Sequence, residues 1–161
     1  MAIDMFLKLD GIDGESTDSK HKNEIEISSF SWGASNPTSI GSATGGIGAG
    51  KVHLSDLNIT TGMNKASPKL FLACSSGQHI ATGTLSVRKA GGTQLDYLTY
   101  TLTEVLVSSY NTSGGGGSDT PMESISLAFA KIEMSYAPQG ADGKLGSPVK
   151  VGWNVTTNVK V

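Results

Sequence analysis

A chain of 161 residues with 12 basic and 14 acidic side chains has a formal net charge of −2, which supplies no basic field for a nucleic-acid backbone. Apolar residues make up 37% and charged residues 16%, both below the usual share, and the 21 glycines, with many Ser and Thr, favour turn-rich β-structure over a helix bundle. One domain spanning 1–161 buries roughly 70% of its unfolded surface, the lone Cys74 excludes an internal disulfide, and no run approaches the roughly 20 apolar residues of a membrane span.

Met1 to Phe6 has an acid at Asp4 and no long apolar core, so it does not read as a signal peptide. Ile3 to Leu9 alternates as a half-buried strand. Asp10-Gly11-Ile12-Asp13-Gly14 breaks it with turn chemistry, and a polar loop runs on to Lys22. Glu24 to Gly33 is a strand with a parity fault. Ile25 and Ile27 share one face, Phe30 and Trp32 the other, which places a bulge near Ser28-Ser29. The same switch recurs between Val52/Leu54 and Leu57/Ile59, and again between Ile125/Leu127/Phe129 and Ile132/Met134/Tyr136. Repeated switches suit strands that bend round the corners of a closed barrel.

Ser35 to Gly50 is too long for a hairpin turn and reads as a glycine-rich loop, either functional or disordered. Ser67-Pro68 offers a helix N-cap and a first-turn proline, and Gly77 offers a stop. Between them Leu70, Ala73 and Cys74 share a face. Tyr97 to Tyr110 is a long strand that ends in a glycine tip at Gly114 to Gly117, and Val149 to Val161 closes the chain with alternating apolar residues. The expected fold is mainly β: a single antiparallel β-barrel of about seven strands with bulges, plus one short α-helix.

The motifs that would carry chemistry fail one by one. Gly45 to Lys51 nearly matches a phosphate-cradling loop, but Val52 stands where the Mg²⁺-binding hydroxyl belongs and the following residues alternate as a strand. Asp10, Asp13, Glu15 and Asp18 miss the spacing of a Ca²⁺ loop and read as a turn held by Asp-to-backbone bonds. His21, His53 and His79 form no paired metal motif. Cys74 sits on the apolar helix face, as a buried inert thiol does. Asn58, Asn111 and Asn154 open incidental sequons. No convergent acid, base and nucleophile emerges, so no catalytic residue, metal or cofactor is expected.

A series of blocks occurs in order: Gly14-Glu15-Ser16-Thr17-Asp18-Ser19-Lys20-His21 with Glu24-Ile25-Glu26-Ile27 and Ser31-Trp32-Gly33; Gly50-Lys51-Val52; Ala73-Cys74-Ser75-Ser76-Gly77; Arg88-Lys89-Ala90-Gly91-Gly92; Glu104 to Ser109; Pro138-Gln139 with Asp142-Gly143; and Gly152-Trp153-Asn154. Together they resemble the haemolysin-coregulated protein family, Hcp, over nearly the whole chain. The resemblance implies a barrel with one helix and a homo-hexameric ring with a wide channel. Rings would stack head-to-tail into the inner tube of a type VI secretion machine. The tube would be expelled on sheath contraction with a spike at its tip, carrying effectors in the channel. The partners implied are the sheath, spike and effector proteins, with no nucleic acid and no membrane insertion. The chain would begin in the cytoplasm and leave without a cleaved signal peptide.

Two places are expected to matter. Ser31 lies between Phe30 and Trp32 and points away from their shared face, so it faces outward if that face is core; the family pattern also suggests a channel position. The second is the loop Ser39, Ile40, Gly41, Ser42, Ala43, Thr44, Gly45, Gly46, Ile47, Gly48, Ala49 and Gly50, which the resemblance places against the next ring. Leu145, Val149, Val159 and Val161 are candidates for contacts between copies. The competing reading is a monomeric barrel that binds a small ligand in its interior. The bulky Phe30, Trp32, Phe129 and Trp153 argue for a filled interior instead.

Overall fold

The structure, a computed structural model, describes residues 2–40, 48–90 and 94–161. Among them are β1 (Ile3–Leu9), β2 (Ile25–Glu26), β3 (Ser29–Ser31), β4 (Ala34–Ser35), β5 (Thr38–Ser39), β6 (Gly48–Ala49), β7 (His53–Leu54), β8 (Leu57–Gly62), α1 (Ser67–Ser76), β9 (Ile80–Lys89), β10 (Asp96–Ser113), β11 (Met122–Tyr136), β12 (Val149–Asn154) and β13 (Val159–Lys160). The main hydrogen-bonded path is β13-β12-β11-β10-β9-β1-β2, and β8 pairs both β11 and β3. β2 and β3 are halves of one bent strand. The Ile27 N–H donates to the Met5 carbonyl at 3.1 Å, and the next residue, Ser28, donates to the Thr60 carbonyl at 2.8 Å. One peptide thus bonds to β1 and the next approaches β8, and the path returns to its start. The barrel consists of β1, β2–β3, β8, β11, β10 and β9, with β12 and β13 added on the second half of β11.

The parity fault at Ser28-Ser29 is therefore a corner where the strand changes partners, and no inserted residue is needed. The fault between Leu54 and Leu57 has the same cause: β7 pairs β4, whereas β8 pairs β3 and β11. β11 pairs β8 over Met122–Leu127 and β12 over Lys131–Tyr136, and its parity changes between those stretches. β10 bends in step, with Leu102 and Val105 both fully buried although they are three residues apart. Glu104 between them has φ 55°, a left-handed conformation that costs a non-glycine residue about 1–2 kcal/mol. A true bulge also occurs on β10, where the register with β11 shifts between Val107 and Ser109.

The interior is filled. Leu7, Ile25, Leu57, Leu70, Leu85, Leu102, Ile125 and Leu127 are all at 0% exposure. Phe30 and Trp32 meet Tyr100 edge-on at 5.7 and 5.5 Å between ring centroids. α1 packs over β10 through Leu70 and Ala73, and it stops at Gly77 (φ 69°), whose N–H donates to the Ala73 carbonyl. Its start differs from expectation. The N-cap position is Ala66, which has no capping oxygen, and Ser67 lies inside the first turn. No helix among the described residues is long and apolar enough to cross a membrane.

The loop from Asp10 to Lys22 has the expected Asp-to-backbone bonds: the Asp18 carboxylate accepts from the Lys20 and His21 N–H groups. It is also strapped to the barrel. Both terminal nitrogens of the buried Arg88 donate to Asp18. His21, 5% exposed, stacks on Phe6 with ring centroids 4.4 Å apart. Its ring nitrogens lie 2.7 Å from Glu24 Oε2 and 3.0 Å from Asp96 Oδ1. The hydrogen bond from Arg88 is the main reason the Asp18 carboxyl is lowered to about 2 from 3.8. A depressed carboxyl contributes stability that is complete above the unfolded value and is lost as pH falls through the folded one. Thermal melts are therefore expected to show a stability loss between about pH 4 and pH 2. In Asp18→Asn that acid limb should flatten. An unchanged limb would remove this pair from the account of acid stability.

Candidate functional site

Ser31 is exposed, as the alternation with Phe30 and Trp32 requires. It sits on the outer face of a four-strand surface whose register aligns it with other small polar residues. Ser31 is opposite Asn58, Asn58 opposite Ser126, and Ser126 opposite Ser109. Two positions along, Ser29, Thr60, Ser124 and Asn111 form a second row. Between the rows lie Phe30, Ile59 and Ile125, which face the core. The rows thus share the solvent side, and each member is exposed or half-buried.

The side chains in these rows are hydroxyls and carboxamides. Ser29 Oγ and Thr60 Oγ1 lie 2.5 Å apart, and the Ser126 hydroxyl donates to Asn58 Oδ1. Asp56 flanks the rows, and its Oδ2 accepts from the Ser108 hydroxyl at 2.6 Å. Such groups donate and accept in several orientations and carry no net charge, so they suit wet, adaptable contact with a protein surface. Only Ser31 of this set is singled out by the sequence argument. The alternation Asn58/Thr60 and Ser124/Ser126 against apolar neighbours is visible in sequence, but the rows emerge only once the register of β3, β8, β11 and β10 is known.

The glycine-rich loop begins as a ribbon. β4 pairs β7, β5 pairs β6, and the Gly50 N–H donates to the Pro37 carbonyl at 2.8 Å. Ser39, Gly48 and Ala49 therefore belong to a two-stranded arm, with Ile40 78% exposed. Gly41, Ser42, Ala43, Thr44, Gly45, Gly46 and Ile47 lie outside the described residues. Strand pairing at Gly48–Ala49 and again at His53–Leu54 is not the geometry of a phosphate loop opening a helix.

The other candidates disperse. Among the described residues no group of three or more His, Cys, Asp or Glu could hold a metal ion. Both ring nitrogens of His21 are engaged by carboxylates, which leaves none to act as a base. His79 lies on the surface beside Glu104. Cys74 packs partly against the core. Leu145 is half-buried in its own loop, bridged to Gln139, whereas Val149, Val151, Val159 and Val161 are 49–66% exposed. Beside Val151 lies an open apolar groove of about 420 Å³ lined by Trp32, Leu54, Ile132, Met134 and Trp153.

The family model described as "Type VI secretion system effector, Hcp" matches residues 6–136. The chain is 49% identical to Protein hcp1 of Pseudomonas aeruginosa over 162 aligned residues, covering 99% of each. A solved structure described as that of a type six secretion system protein superposes with a TM-score of 0.95 at 42% identity, covering 99% of this chain and 100% of the other. Hcp1 from Salmonella typhimurium superposes with a TM-score of 0.84 at 38% identity, covering 100% of both. With a mainly β fold carrying one helix, and with matches that span the chain, this protein belongs to the Hcp family of type VI secretion tube proteins.

Proposed function

We propose that the 161 residues act as one structural domain, with no catalytic role, that assembles as six-membered rings. The rings stack head-to-tail into a tube, which sheath contraction drives out of the cytoplasm behind a spike. In this reading the rows headed by Ser31 and Ser29 line the ring channel, and effectors bind there. The ribbon from Ser39 to Gly50 reaches the next ring.

The observation that carries the reading is the eight-residue neutral polar surface on the outer face of β3, β8, β11 and β10. A conduit for diverse proteins needs a wall without large apolar patches or fixed charge, since like-charge or unpaired apolar contacts would retain some cargoes and reject others. The rival reading, a monomer with a ligand in the barrel, has no room: the interior is packed with aliphatic side chains, and the groove opens to the surface.

Light scattering of the purified protein is expected to give about 100 kDa, six times the 16.6 kDa chain, persisting on dilution. A monomer at every concentration would overturn the reading. Ser31→Gln should leave that mass unchanged and weaken retention of a co-expressed effector. If the ring dissociates instead, Ser31 belongs to a contact between copies.

A further inference from the structure

We propose that His21 is a pH-sensitive clamp, which locks residues 10–24 onto the barrel while its ring carries two protons and frees them from β10 when it carries one. Local chemistry places the ring. Residues 21–24 form a tight turn, closed by the Glu24 N–H donating to the His21 carbonyl at 3.2 Å. Asn23 in this turn has φ 63°, a left-handed conformation that asparagine adopts more readily than most residues. The turn folds Glu24 back on the residue three places before it, and Glu24 Oε2 meets His21 Nδ1 at 2.7 Å. The other ring nitrogen, Nε2, lies 3.0 Å from Asp96 Oδ1 at the start of β10. Phe6 stacks on the ring from β1. One side chain thus joins the loop to two strands.

The chemistry of the contact decides which protonation state holds it. A neutral imidazole has one N–H and one lone pair, and only the imidazolium donates from both nitrogens. Both partners are carboxylates, which once ionised only accept. In the neutral ring one nitrogen therefore turns a lone pair toward an anionic oxygen, and beside Glu24, 11% exposed, little water screens it. The surrounding charges act in the same direction. They are Asp4 on β1, Arg88 on β9, Asp96 on β10, and Asp18, Lys20 and Glu24 in the loop itself. Arg88 is committed to Asp18 and lies 3.5 Å from Asp4, and Lys20 Nζ donates to the Gln94 carbonyl at 3.0 Å. Four carboxylates thus stand against two fixed cations, and a protonated His21 is a third cation that reduces the imbalance. Charge-assisted bonds of this kind are about twice as strong as neutral ones. Stability gained from a bound proton is complete at the acid end of the ring's titration and is lost as pH rises through it. The Asp18–Arg88 pair is lost in the opposite direction, as pH falls, so Asp18 continues to hold its end of the loop when the clamp opens.

Nitrogen NMR of the imidazole rings, read together with amide hydrogen exchange from about pH 5 to about pH 9, tests this. His21 is expected to show both nitrogens protonated at the acid end. The Ser16 and Asn23 amides donate to the Glu24 and Ser16 carbonyls at 3.0 and 2.8 Å. As the ring loses a proton, their protection should fall about tenfold after correction for the intrinsic rate, with the same midpoint as the ring. Amides between β10 and β11 should stay near their acid-end protection. His53 and His79, both exposed, should titrate without effect on the loop. His21→Gln, which takes up no proton, should give loop protection that is low and independent of pH over this range. Asp96→Asn should move the His21 midpoint to lower pH, because a carboxylate that favours the imidazolium is gone. Loop protection that stays constant while His21 titrates, or that changes equally in His21→Gln, would overturn the proposal, as would a ring that holds one protonation state throughout. If His21→Gln fails to fold, the parent titration and Asp96→Asn decide alone.

Discussion

Glu123→Ala is expected to destabilise the fold by about 3 kcal/mol, which for a chain of this size lowers Tm by about 6–12 °C. Glu123 is 2% exposed, and its oxygens are held by hydroxyls. Oε1 accepts from Ser67 Oγ and Oε2 from the Tyr110 phenol, each at 2.7 Å. Ser67 opens α1, whose N-cap has no side-chain bond and whose first turn has no acid. A carboxylate reaching across from β11 therefore supplies the negative charge that a helix N-terminus favours, and it ties the helix to two strands. Alanine leaves both hydroxyls without that acceptor. Glu123→Gln keeps the shape and one oxygen and should cost about 1 kcal/mol. A double-mutant cycle with Tyr110→Phe should show a coupling above about 0.5 kcal/mol.

The same site gives a pH signature. Burial, and then the bond to Glu123, push the Tyr110 phenol up to about 12 from 10. A group whose neutral form is favoured in the fold contributes stability that is complete below the unfolded value and is lost as pH rises through the folded one. Stability is therefore expected to fall between about pH 10 and pH 12, and Tyr110→Phe should remove that component. If Glu123→Ala melts within about 2 °C of the parent, the carboxylate is not what holds α1 in place.

Alternation made β1, the apolar face of α1 and the outward aspect of Ser31 legible, because each depends on side chains within a few residues of one another. The parity faults were legible as bends, but their cause was not. A bulge and a change of partner leave the same trace in sequence, and only the bonds from Ile27 and Ser28 to different strands distinguish them. Glu104 gave no signal, since an acid carries no mark of a left-handed conformation that the bend across β10 imposes. The polar network was also hidden. Asp18 and Arg88 are 70 residues apart, His21 and Asp96 75, and local reading saw only a solvated turn. The candidate channel wall apart from Ser31 was missed for a related reason, because rows across four strands are set by register.

Gly14→Ala tests whether the loop and the barrel seam are one structure. An added Cβ at Gly14 would lie 2.5 Å from the Glu24 carbonyl oxygen and 2.7 Å from the Ile25 Cα. These are backbone atoms, so no side-chain rotation relieves the clash. The Gly14 N–H also donates to the Asn23 carbonyl at 2.8 Å, which prevents the loop from lifting without a lost bond. The displacement falls on Ile25, which is fully buried and paired with Leu7, and on Glu24, which holds His21. Overpacking of this kind costs about 2–3 kcal/mol, or about 4–12 °C in Tm. Gly115→Ala, at a tip where nothing lies within 4 Å, should be nearly neutral. Hydrogen exchange separates the mechanisms. If the loop and seam are continuous, protection at the Ile27 and Ser28 amides falls in Gly14→Ala while that of β10 and β11 stays near the parent's. If protection falls evenly over the whole barrel, Gly14 acts only through global stability. If it falls only within 14–24, the loop is an independent strap, and the bent strand closes the barrel without it.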